Sequence, residues 1–170
     1  MLPLQRRFLV PLLGAVFLAA GRADAVAPQI HDDGKYFSAE ALKKANEEIK
    51  DISRKYHMDL LVETLATVPG GQADRVRAMS AADRAEFFRR LAVERSQDAV
   101  VHGVYVLICR DPRYIYVDVS QGAQFVFDDP TRTRIQTRLI QDFGNRRFDE
   151  GLLGVVQLVR ERLAALPPPK

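Results

Sequence analysis

The hydrophobic pattern takes a helical period from Ser38 onward. Leu42, Ala45, Ile49, Ile52 and Tyr56 recur at three- and four-residue steps, while Lys43, Lys44, Glu47, Glu48 and Lys50 fill the opposite face. That spacing predicts an amphipathic helix with Ser38 as its cap. Residues 26–36 ahead of it, with Pro28, Gly34 and an acidic pair, read as a loop. Leu60, Leu61, Val62, Thr64, Leu65 and Thr67 then form a β-prone run stopped by Pro69-Gly70-Gly71. After the glycines, Ser80 and Asp83 have the form of a capping box, and Phe88, Leu91 and Ala92 mark the buried face of a second helix ending near Gln97. Arg84, Arg89, Arg90 and Arg95 alternate there with Asp83, Glu86 and Glu94, the pattern of a solvated, salt-paired face.

From Gly103 the period disappears into an apolar run, Val104 to Cys109, which suits a strand covered on both faces. Residues 110–113 make a turn and 114–119 a second strand. So short a connection permits only antiparallel pairing, so the sheet is mixed. Asp129-Pro130 supplies cap and first-turn chemistry for a third helix through Ile135, Leu139 and Phe143. A fourth, from about Asp149, carries the stripe Leu152, Val155, Val156, Val159 and Leu163 and stops before a short Pro-rich end, Pro167 to Pro169. With no internal repeat, residues 26–170 read as a single domain.

The first 25 residues stand apart. Arg6 and Arg7 precede an apolar run of thirteen residues, Phe8 to Ala20, and Ala23-Asp24-Ala25 offers a small-residue cleavage site. A membrane span needs about 20 apolar residues, which favours a signal peptide cleaved near Ala25 over a retained anchor. Cleavage lowers the net charge from +3 to +1, because three arginines and one aspartate leave with the segment. The mature chain then has neither the basic excess of a nucleic-acid binder nor a membrane span. Export to the periplasm or beyond the cell is the expectation, with a monomer as the expected state.

Candidate chemistry is sparse. The chain lacks a phosphate loop, a Gly-x-Ser-x-Gly elbow, a zinc helix and a dinucleotide fingerprint. His31, His57 and His102 have no ligand spacing, and Cys109, at the end of the most apolar strand, reads as a buried, inert thiol. Carboxylates remain: Asp32-Asp33 before the first helix, Asp118 near a strand end, and Asp128-Asp129 before the third helix. Loop carboxylates of this kind can ligate a hard cation, calcium or magnesium. Each also has a plain structural reading, a helix cap for Asp129 and solvated loop for the first pair. Gly122 is a turn after the strand or a point of close approach by an anion.

The order of these segments resembles the TPM domain family. Ile30, His31, Asp32, Tyr36 and Phe37 match its pattern before the first helix. Its Asn-Gly falls on His102-Gly103, its strand arginine on Arg113, and its Gly-x-Gly turn on Ser120-Gln121-Gly122. The first glycine of that turn is therefore missing, and the acidic residue two positions after the second is Gln124. Its Asp before the third helix falls on Asp128 or Asp129, and its closing aromatic-Gly pattern on Phe143, Phe148 and Gly151. The resemblance implies a three-layer α/β/α sandwich, a mixed sheet with helices on both faces.

By the same resemblance the protein is expected to be an exported accessory or binding domain in envelope protein maintenance. It would hold calcium or magnesium between Asp32 and Asp128/Asp129, use no organic cofactor and meet an unidentified protein partner. The alternative implied by the family is a metal-assisted acid phosphatase, with Arg113 or Gly122 contacting phosphate and the catalytic residues unassigned. A third reading is a scaffold that keeps the fold without a site.

Overall fold

In the computed structural model the described residues are 29–166. The expected leader, residues 1–25, and the terminal prolines lie outside the described residues. In chain order the elements are β1 (His31–Asp32), α1 (Ala39–Tyr56), β2 (Asp59–Leu65), a 3-10 turn (Pro69–Gly71), α2 (Ala73–Ala78), α3 (Ala81–Asp98), β3 (Gly103–Cys109), β4 (Tyr114–Val119), a second 3-10 turn (Gln121–Ala123), α4 (Asp129–Gly144) and α5 (Phe148–Ala164). The strands lie in the order β1-β2-β3-β4, with β1, β2 and β3 parallel and β4 antiparallel to β3.

The three-layer arrangement expected from the sequence is present. Leu60, Val62, Val104, Val106, Ile108 and Val117 face a core shared with α1, α4 and α5. Leu61, Leu65, Tyr105, Leu107 and Cys109 face a smaller core under α2 and α3. All seven residues of β3 are buried, as a strand covered on both faces must be. Two expectations need correction. The stretch before α1 is not all loop: His31 and Asp32 pair with Glu63 and Thr64 as β1, too short and too polar to show alternation. The helix after the glycines is two helices, because the chain is extended at Met79 and Ser80. There Arg84 donates to the carbonyls of Arg77 and Met79, which α2 leaves unpaired.

Each sheet edge is partly covered. The outer side of β4 lies along α4, where Gln136 donates to the Ile115 carbonyl (3.2 Å) and Val117 is fully buried. Covering an edge with a helix protects it from unintended strand pairing. At the other edge Gly34 donates to both the carbonyl and the hydroxyl of Thr64. Gly103 opens β3 against the backbone of Asp59, where a Cβ would lie 2.0 Å from the Asp59 carbonyl oxygen. This is the physical reason for a glycine at that position.

Beneath α3 lies a polar group that the periodicity did not reveal. Glu63 points into the smaller core at 6% exposure and is bound bidentately by Arg95 and by the hydroxyl of the fully buried Tyr105. Arg95 is thus no member of a solvated face; Arg89 and Arg90 are, since both pair with Glu86 on the helix surface. Burial by itself would raise the Glu63 carboxyl. The hydrogen bonds from Arg95 and Tyr105, with the guanidinium charge, outweigh burial and hold it below its ordinary 4.5. Burial and the Glu63 carboxylate push the Tyr105 hydroxyl upward.

A carboxyl lowered by folding contributes stability that is fully present well above 4.5 and is lost as pH falls through the lowered value. Glu63→Gln should therefore cost about 1–3 kcal/mol near pH 7. In urea titrations the wild-type advantage should shrink on acidification; an advantage that grows in acid would contradict this account.

Candidate functional site

The sheet has two ends, and they differ in kind. At the end where β1 and β2 finish, Asp32 is held fast. One carboxylate oxygen accepts the Thr64 hydroxyl (2.6 Å) and the Tyr36 amide (3.1 Å), and the other accepts the Phe37 amide (3.0 Å). These bonds fold the loop into the start of α1, whose Ser38 caps the Ala41 amide while its own amide donates to Asp149 on α5. Tyr36, Phe37, Phe143 and Phe148 pack as one aromatic cluster, with the Arg110 guanidinium 4.8 Å from the Tyr36 ring centre. Asp142 closes the same corner, buried between Arg138 and Arg147.

Asp128 and Asp129 lie at the other end, so the expected cation site joining them to Asp32 is not formed. Asp32 shares its register with Ile108 and Ile115, whereas α4 begins beyond Val119, the residue opposite Val104. From Val104 to Ile108 is roughly 13 Å at strand rise. The sixteen residues of α4 add a second measure, about 24 Å of helix, whose far end reaches Tyr36 through Phe143. Asp128 is the α4 cap, accepting the Thr131 amide at 3.0 Å, and the Thr131 hydrogen bonds hold its carboxyl below the ordinary range. Asp129 is exposed beside Arg132. Among the described residues no three His, Cys, Asp or Glu side chains come together as a metal group. Asp32 and the Asp128-Asp129 pair therefore do not meet around one ion.

Arg113 and Gly122 are separated in the same way, at opposite ends of β4, so they do not form one phosphate contact. Arg113 is exposed and makes no ion pair among the described residues. Cys109 is buried and its thiol is pushed up to about 11 by that burial, which makes it the inert thiol expected.

At the open end, where β3 starts and β4 finishes, is a cleft of about 470 Å³. One wall is the last turn of α3 and the loop after it, with Ser96, Val100 and His102; the other is Asp118 and Ser120-Gln121-Gly122. The Asp59 carboxylate holds the His102 amide at 2.9 Å, and the Ser120 amide donates to the Gly103 carbonyl at 3.0 Å. The cleft floor is thereby tied to the sheet. Asp118 stands on the α3 side of β4 in step with Tyr114, whose ring stacks on Phe88 at 4.3 Å. Its carboxylate is half-buried and makes no hydrogen bond or ion pair among the described residues.

Val100 is the unusual residue on this rim. It occupies the left-handed position that ends α3, with φ of 52°, and the next amide, Val101, donates back to Ser96. Glycine suits that position; a β-branched side chain there is strained. Yet the Val100 side chain contributes little burial, at 65% exposure, and Phe125 on the loop beyond Gly122 stands 73% exposed. Sequence reasoning missed Val100 because a backbone angle leaves no mark on hydrophobic pattern. Asp118 reads from the sequence as a carboxylate near a strand end, and the alternation Tyr114-Tyr116-Asp118 puts it on one face of that strand.

A mixed four-stranded sheet with helices on both faces, closed at one end and cleft at the other, is a small three-layer α/β/α domain. Residues 30–162 match the TPM domain family, and the chain belongs to that family. Among solved structures it is similar to the N-terminal domain of a P. gingivalis protein, at 16% identity and a TM-score of 0.58, over 79% of this chain and 83% of that one. It is similar too to the N-terminal domain of a Corynebacterium glutamicum protein, at 10% identity and a TM-score of 0.58, over 89% and 90%. The BA42 protein of Bizionia argentinensis matches at 17% identity and a TM-score of 0.52, over 76% and 83%. These likenesses establish the fold. No curated protein matches the chain at comparable significance. The family's missing first glycine costs nothing sterically here, since Ser120 has φ of −58°, open to any residue.

Two substitutions test the contrast between the ends. Asp32→Asn should lower stability by about 1–3 kcal/mol through the lost amide and hydroxyl acceptor geometry, by the same amount in calcium as in chelator. A deficit seen only with calcium would restore a metal role. Val100→Gly should leave stability unchanged or raise it by up to about 1 kcal/mol; a clear loss would mean that the valine is structural.

Proposed function

We propose that this TPM domain is an exported accessory domain that binds a protein partner through the cleft between Val100-His102 and Asp118-Gly122. The observation that carries this reading is Val100, whose β-branched side chain strains the left-handed cap of α3 while staying 65% exposed and adding little burial. Strain retained at an exposed position is a mark of sites selected for something outside the fold. Phe125 adds a second exposed apolar side chain on the same loop system, as interfaces require. The signal-peptide form of residues 1–25 supports a place in the periplasm or beyond the cell.

Calcium and magnesium have no part in this reading. The phosphatase alternative asks for carboxylates, an arginine and an anion-binding turn around one cation. The separation of Asp32 and Arg113 from Asp128, Asp129 and Gly122 argues against one centre built from them.

A photo-crosslinking residue at Gly122 should give a discrete adduct with one envelope protein of the source organism. A crosslinker at Gln157, on the surface of α5, should give none, and Val100→Asp should remove the Gly122 adduct. Equal labelling from both positions, or no adduct at Gly122, would contradict the proposal. Hydrolysis of p-nitrophenyl phosphate that Arg113→Ala abolishes would favour the phosphatase instead.

A further inference from the structure

We infer that the cleft reads a cationic side chain, a lysine or arginine flanked by apolar residues, on an extended segment of the partner protein. The inference rests on the cleft being the partner site and names what that site recognises. Its basis is the charge inventory of the walls. Apart from His102, Asp118 is the one ionisable side chain among the lining residues; the others are Val, Ser, Gln and Gly.

The nearby basic residues are engaged elsewhere. Arg89, the nearest on α3, is bound to Glu86 by two hydrogen bonds of 2.7 Å, and Arg132 stands beside Asp129. Arg95 is turned to the other side of α3, into Glu63. Asp118 is therefore half-buried beside a cleft lined by no lysine or arginine, and the Arg89 charge reaches it only across the Arg89 pair with Glu86, without a hydrogen bond. A carboxylate in that setting gains from an incoming ammonium or guanidinium more than a fully solvated one does, because the surrounding wall lowers the local dielectric. An anionic ligand meets the opposite field.

The shape agrees with a side chain rather than a folded surface. About 470 Å³ is within the range of small-ligand pockets. The His102 imidazole and the hydroxyl and amide groups of Ser120 and Gln121 supply polar contacts at the rim. Val100 stands where an aliphatic neighbour of the cation would be covered. A lysine or arginine would lay its apolar stem on Val93 and Val101 and carry its charge to Asp118.

The test uses the purified, isotope-labelled chain and three capped pentapeptides, Ala-Leu-X-Leu-Ala, with X as lysine, norleucine or glutamate. The lysine peptide should shift the amides of Val100, His102, Asp118, Ser120 and Gly122 saturably, and added salt should weaken it. Asp118→Asn should weaken it by about fivefold, and norleucine should bind weaker by a similar factor. The glutamate peptide should leave the cleft unshifted. If lysine and norleucine bind equally and Val100→Asp abolishes both, the cleft stands as a binding site and the cation inference falls. If the lysine peptide shifts no cleft residue, or Asp118→Asn changes nothing, the inference is overturned, while the Gly122 crosslink decides the partner site independently.

Discussion

Seven consecutive residues of β3, Gly103 to Cys109, are buried on both faces, and the rest of the molecule answers to that strand. Each buried aliphatic side chain contributes about 1.5–3 kcal/mol when removed from water, but only if both faces are covered. Helices α1, α4 and α5 cover one face and α2 and α3 the other. Neighbours β2 and β4 satisfy its backbone, and their outer edges are in turn partly covered by β1 and α4. The Gly103 contact with Asp59 fixes where the strand begins, and with it the position of His102 and of the loop on which the cleft depends.

Around this strand the two sheet ends have diverged. The end holding Asp32 is bonded shut by one carboxylate, an aromatic cluster and the Asp142 ion pairs. Nothing further is needed there to explain why those residues are present. The end holding His102 and Gly122 is anchored at its floor and exposed at its rim, where the strained Val100 faces Asp118, a carboxylate unpaired among the described residues, and Phe125 is exposed on the loop beyond. Function is more economically assigned to the second end.

The sequence made the long elements legible because burial repeats at the helical or strand period. Ser38, Ser80 and the α5 stripe mark the helices they cap or line, and the apolar run 104–109 forms the strand covered on both sides that its pattern predicts. What escaped has a common cause. Glu63 is a charged residue in a buried position, Val100 is an apolar residue in an exposed one, and β1 is too short to alternate. Each departs from the rule that polarity reports burial. The aspartates were legible as candidates, but their grouping was not, because distance across a sheet depends on strand direction and register. Parallel β1 and the reversed β4 send Asp32 and Asp128 to opposite ends.

Native-state hydrogen exchange tests that division most directly. The amides of Tyr36 and Phe37, held by Asp32, should exchange only with global unfolding, as slowly as the β3 core. Val100 and Gln121 to Gln124 should exchange through local opening with far lower protection. Equal protection at the two ends, or faster exchange at Tyr36 and Phe37 than at Gln121, would contradict the account of one locked end and one open one.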